Sequence, residues 1–123
     1  MEFTHHQGVA PNAVTSLSGD EVRCGARAFR SSIILAAAGA PVPWTVRDAA
    51  SLTEPDLVPL LELRPELVLL GSGPRQVFPP QRVFAALAGH GIGLEVMDNG
   101  AACRTFSLLL QEGREVVLAL ILP

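Results

Sequence analysis

From Val14 to Leu35 short apolar runs alternate with glycine and polar residues: Ala13 to Leu17, the turn Ser18-Gly19-Asp20, Val22 to Cys24, and Phe29 to Leu35. Strands place successive side chains on opposite faces, and runs this short bounded by turn residues predict an antiparallel meander. Pro41 and Pro43 then interrupt the chain. Proline removes a ladder donor, so this stretch suits an edge or a turn, with Trp44 packing as a lid on the core.

Beyond Trp44 the pattern changes to helix and strand in alternation. Thr53 is placed to cap a helix that opens with Glu54, Pro55 and Asp56, carries Leu57, Leu60 and Leu61 on one stripe, and stops at Arg64-Pro65. Leu67 to Leu70 is the continuous apolar run of a strand covered on both faces. It ends at Gly71-Ser72-Gly73-Pro74. Pro79-Pro80 opens a second helix with Val83, Phe84, Leu87 and Ala88 on one face, Gly89-His90-Gly91 closes it, and Ile92 to Met97 is the next strand. A strand, helix, strand unit of this length forces parallel pairing with a right-handed crossover. The last segment admits a hairpin, or a helix capped by Asn99, with Cys103, Phe106 and Leu110 on one face and Gly113 ending it before a strand over 115–122; the helix is preferred because Asp98-Asn99-Gly100 repeats the punctuation at Gly71. Residues 1–13 show no periodicity and are expected to form a flexible arm, leaving residues 14–123 as one α/β domain.

Composition narrows the function classes. The 123 residues are 49% hydrophobic and 17% charged, enough for one core, and no apolar stretch approaches the roughly 20 residues that span a bilayer. No integral membrane segment is expected, and without a basic region and apolar run at Met1 to His6 a cytoplasmic location follows by default. All nine cations are arginine against twelve carboxylates, a net charge of −3, which supplies no cationic face for nucleic acid. The lack of lysine excludes a Walker A loop and Schiff-base chemistry. Cys24 and Cys103 fit neither a disulfide scaffold nor a zinc site, and with His5, His6 and His90 scattered, no metal and no cofactor are expected.

Three constellations carry candidate chemistry. Gly71-Ser72-Gly73 lies between a strand and a helix, with Glu95 about 20 residues on, as in a dinucleotide fingerprint. The third glycine is replaced by Gln76, however, and Pro79-Pro80 holds the helix away from any pyrophosphate. Ser72 is not a nucleophile elbow either, which needs Gly-x-Ser-x-Gly and a histidine that follows in the chain; only His90 follows, at the expected helix end. Cys103, in the first turn of its helix beside Arg104 and near Asn99 and Gly100, is placed where exposed amides and a cation favour a thiolate; the alternative is a small core residue. Finally, Arg75 with Gln76, and Asp98 with Asn99 and Arg104, lie beyond the carboxyl ends of consecutive strands, where open α/β sheets place ligand crevices. A small anion held by Arg75, Arg104 and backbone amides is one reading, and an ion pair from Asp98 to an arginine the other.

The runs Leu69-Leu70-Gly71-Ser72-Gly73-Pro74-Arg75-Gln76, Gly91 to Phe106, and Glu112-Gly113-Arg114-Glu115-Val116, with Ser32 and Trp44, resemble a widespread family of domains of unknown function. That family has mostly uncharacterised bacterial and archaeal members and includes the mitochondrial respiratory complex I assembly factor 3. The resemblance covers roughly residues 14–121. It implies a three-layer α/β fold with a mixed central sheet flanked by helices and a small additional β element, and no established enzymatic activity. The chain departs from the family's usual Thr at Ser72 and Asn99, basic residue at Pro74, and Tyr-Asn at Phe106-Ser107.

Three functions from different classes follow. The first is a non-catalytic interaction or assembly-factor module of a bacterial protein, which implies a protein partner and an exposed apolar patch. The second is a small-ligand or anion-binding domain using Gly71, Ser72, Gly73, Arg75, Asp98, Asn99 and Arg104, and the third a thiol-dependent activity at Cys103.

Overall fold

The computed structural model describes residues 11–123. The meander expected near the start forms over three strands, β1 (Ser16–Leu17), β2 (Val22–Cys24) and β3 (Arg27–Phe29), paired antiparallel in that order. Cys24 pairs with Arg27, so the connection has only two residues, and Gly25 at the first of them has φ +63°, as a tight hairpin of the II′ kind demands. The meander ends there. Ile33–Leu35, expected as part of the same run as Phe29, is a separate strand, β4, that joins the other sheet. Arg30-Ser31-Ser32 breaks the run, and the Ser32 hydroxyl donates to Val46 O at 2.6 Å while accepting from Leu122 N at 2.9 Å.

The central sheet adds β5 (Val42–Pro43), β6 (Leu67–Gly71), β7 (Gly93–Met97) and β8 (Val116–Leu120), in the order β5-β4-β8-β6-β7. It is mixed: β6 pairs parallel with both β7 and β8, while β4 pairs antiparallel with β5 and β8. The prolines flanking Val42 sit on the edge strand, where a missing donor costs nothing. Three helices complete the fold. The first, α1 (Val58–Leu63), continues a 3-10 turn over Glu54–Leu57; α2 (Gln81–Ala88) follows Pro79-Pro80; α3 (Asn99–Gln111) links β7 to β8. Thr53 does cap the first turn, its N–H and hydroxyl both donating to Asp56 Oδ2 at 2.9 Å.

Period-two alternation in the strands builds two cores on opposite faces of this sheet. Ile34, Val68, Leu70, Val117, Ala119 and Ile121 point to one face and pack under Leu57 and Leu60 ahead of and within α1 and Val83 and Leu87 of α2. Ile33, Leu35, Leu69, Leu118 and Leu120 point to the other and meet Ala102, Cys103 and Phe106 of α3 and Leu17, Val22 and Cys24 of the small sheet. Three layers result: helices, sheet, then α3 beside the small sheet. Each fully buried Leu or Ile in these layers contributes about 1.5–3 kcal/mol. Trp44 closes the first core as expected, buried, with Nε1 donating to Asp56 O at 2.9 Å.

Two boundaries differ from expectation. Of the arm expected over residues 1–13, residues 1–10 lie outside the described ones, whereas residues 12–13 are docked. Asn12 and Ala13 are buried, and Asn12 Nδ2 donates to the carbonyls of Ala36 and Gly39, both at 3.0 Å. At the other end the helix expected after Met97 forms and is closed by Gly113 at φ +74°. Its cap is Asp98 rather than Asn99: Asp98 Oδ1 accepts from Ala101 N at 2.9 Å. Both residue types suit a cap, and Asn99 is committed elsewhere.

Candidate functional site

The loops that leave β6 and β7 come together, as their positions at the ends of adjacent parallel strands require. Gly71 lies so close to the start of α3 that a Cβ there would stand 2.6 Å from Asn99 Oδ1 and 2.6 Å from the Leu120 side chain. Only glycine admits that approach. Asn99 uses it fully. Its backbone N–H donates to Gly73 O at 2.9 Å, its Oδ1 accepts from Gly73 N at 3.0 Å, and its Nδ2 donates to Ile121 O at 2.9 Å. One buried side chain thereby ties the ends of β6 and β8 to the beginning of α3.

Ser72 organises the other half of the loop. Its N–H donates to Met97 O at 2.9 Å, its hydroxyl lies 2.9 Å from Arg75 O and 3.1 Å from Met97 O, and its Oγ accepts from Val77 N at 2.8 Å. Gln76 Nε2 donates to Val96 O at 2.9 Å. The structure therefore brings Gly71, Ser72, Gly73, Asp98 and Asn99 together, but as a closed set in which side chains satisfy backbone groups of neighbouring segments. Buried polar groups paired in this way hold loop geometry.

Arg75 and Arg104 are exposed. A groove of about 310 Å³ lies next to the loops, lined by Leu17, Ser18, Gly19, Gly73, Pro74, Asn99 and Gly100. Neither arginine lines it, and its described lining is uncharged. The ion pair weighed from Asp98 is not among the described ones, which join Glu21 to Arg23 and Arg30, and Glu66 to Arg114.

Of its two readings, Cys103 takes that of the small core residue and not that of a thiolate. It faces the second core with none of its surface exposed. Burial pushes its thiol up to about 12, with the nearby Cys24 adding to the rise and Arg104 opposing it. A helix N-terminus favours an anion only where the group keeps contact with solvent or with donors, and apolar surroundings here outweigh it. Among the described residues no group of three or more His, Cys, Asp or Glu side chains is placed to hold a metal ion, and no helix is long and apolar enough to cross a membrane.

Sequence reasoning missed two features. Phe78 is 60% exposed although its neighbour Val77 is half-buried and Pro79 buried. An apolar run of Val, Phe and Pro reads as core, and nothing local marks which member turns outward. The second is an apolar trough between the segment leading into α1 and α2, whose lining includes Pro55, Leu57, Val58, Leu61 and Ala86. Val58 stands 50% exposed there, off the stripe that the helical period assigns to the core.

This architecture is that of the Mth938-like α/β domains. A solved Bordetella pertussis protein described as a Mth938-like domain matches with a TM-score of 0.82 and 28% identity, over 98% of this chain and 92% of that one. A Bordetella parapertussis protein matches at 0.86 and 33% identity, over 94% and 99%. The family model described as Protein of unknown function (DUF498/DUF598) matches residues 14–121, and the chain belongs to that family. Human NADH dehydrogenase (ubiquinone) 1 alpha subcomplex assembly factor 3 is 40% identical over 84 residues, which are 67% of this chain and 46% of that protein. The chain spans about half the length of the curated relatives it matches.

Replacing Asn99 by Ala leaves Gly73 N–H and Ile121 C=O buried without partners, at about 1–3 kcal/mol each; urea unfolding should show a loss in that range or up to its double, and a loss below 0.5 kcal/mol contradicts the bracket. The Cys103 thiol, protonated in the fold well above its ordinary 9.0, binds a proton that the unfolded chain releases. Its contribution to stability is therefore complete below about pH 9 and declines toward pH 12, by up to about 1.4 kcal/mol per unit. Unfolding measured across that range in wild type and Cys103→Ala should show the steeper decline in wild type; parallel curves would reject it.

Proposed function

We propose that this domain is a non-catalytic interaction module, acting in the manner of an assembly factor by presenting a fixed surface to a protein partner. The observation that carries this reading is Phe78. A large aromatic side chain is held out to solvent by a loop anchored on both sides, through Val77 N–H to Ser72 Oγ at 2.8 Å before it and the buried Pro79 after it. Aromatic side chains concentrate at interface cores, and a residue already fixed in place loses little conformational freedom on binding.

The polar loops support the same reading. Their side chains satisfy backbone groups, which gives rigidity to the segment that carries Phe78. Relationship to assembly factor 3 at 40% identity adds support, and the partner proposed is accordingly a protein rather than a nucleic acid or a membrane.

Affinity capture with tagged chain from cells of the source organism tests it. Wild type and a Leu108→Ser control, which alters a comparably exposed residue on α3, should retain a specific protein, and Phe78→Ser should lose it by at least about tenfold, a change of about 1.4 kcal/mol. Because Phe78 is exposed, its replacement should leave the unfolding midpoint nearly unchanged. Capture that is equal for all three chains counts against the proposal.

A further inference from the structure

Two cavities that share lining residues make up the trough beside α1. A cavity of about 600 Å³ begins at Glu54 and includes Val58, Leu61 and Ala86. A second, of about 270 Å³, continues past Leu61 and His90, which line both, to Arg64. From Glu54 to Arg64 the chain rises by about 17 Å, taking ~2.0 Å per residue in the 3-10 turn and ~1.5 Å in the helix. Three turns of an α-helix occupy about 16 Å.

Charge marks the two ends. Glu54 and Arg64 are exposed, and neither forms an ion pair with another described residue. Arg64 is also the only non-glycine residue with positive φ among those described, at φ 49° and ψ 51°, where it ends α1. Arginine there adopts a backbone conformation that favours Gly or Asn, while its charge suits the C-terminus of α1.

We propose that the trough between α1 and α2 seats an amphipathic helix of a protein partner, lying antiparallel to α1, with an acidic first turn against Arg64 and a basic last turn against Glu54. The reading rests on the interaction function above and specifies its partner. The orientation follows from charge: an isolated helix is stabilised by acidic residues at its N-terminus and basic ones at its C-terminus, and only the antiparallel placement sets both against their opposites. Apolar anchors at i, i+3 or i+4, and i+7 would meet Val58, Leu61 and Ala86, as helix-in-groove recognition requires.

The probe is a fluorescent, side-chain-stapled peptide of about 14 residues, three to four turns, with Leu anchors on one face, Glu in its first turn and Lys in its last. Its charge-reversed twin is the comparison. Anisotropy titration should show saturable binding to wild type and binding at least about tenfold weaker to Val58→Glu. The double variant Glu54→Lys with Arg64→Glu should bind the first peptide about three- to tenfold more weakly and the twin correspondingly more tightly at low salt. No saturable binding, or equal binding to all three chains, overturns the proposal. All three positions are exposed, and thermal unfolding confirms that the variants fold. The titration contains no cellular partner, and Phe78 does not line the trough; failure here removes the helix seat, whereas the Phe78 capture decides the interaction reading itself.

Discussion

The carboxamide of Asn99 is the contact on which the end of the sheet depends. It reaches the Gly73 amide and the Ile121 carbonyl from the first residue of α3, and it can do so only because Gly71 has no side chain to occupy the intervening space. Remove either and two strands and a helix lose their common junction. The Asn99 N–H to Gly73 O bond doubles the tie, so that both peptide groups flanking the Gly73 α-carbon are held by one residue. A buried network with every member paired fixes a single conformation, because any departure exposes several unsatisfied groups at once.

That constraint explains why the end of a parallel sheet, the usual place for a ligand crevice, is here an organising joint. Ser72, Gln76, Asp98 and Asn99 all have the chemistry of a site, yet each addresses a backbone group. Rigidity is transmitted along the loop to Val77, and from there to Phe78 and the start of α2. Exposed apolar features outside the joint include an aromatic side chain on an anchored loop and the trough between α1 and α2. Polar groups inside hold the frame, and apolar groups stand outside it, in a chain with relatives named as assembly factor 3 and as a 13 kDa major membrane protein.

Much of the frame was legible in the sequence because it is periodic. Leu67 to Leu70 and Val116 to Leu122 are apolar at every position, as strands covered on two faces must be, and the helical spacing of Cys103 and Phe106 correctly placed both on one face. The same spacing supports the reading of Cys103 as a small core residue, which its burial bears out over the thiolate suggested by the helix terminus and Arg104. The separation of β3 from β4 was signalled by Arg30-Ser31-Ser32, but which sheet Ile33–Leu35 joins is decided by pairing with β8, some 85 residues away, and local pattern carries no such information. Asp98 and Asn99 are equally good caps, and only the proximity of Gly73 and Ile121 selects between them. Phe78 and Val58 escaped notice because composition says which side chains are apolar and not which ones remain without a partner.

Amide hydrogen exchange at Gly73 and Val77 tests the central claim most directly, since both N–H groups are held by side chains, those of Asn99 and Ser72, rather than by a ladder. If the strand ends form a closed joint, both amides should exchange only through openings close in free energy to global unfolding, like those of β6 and β8. Exchange at the rates of an open loop, while β6 and β8 stay protected, would show a mobile crevice there and contradict the account.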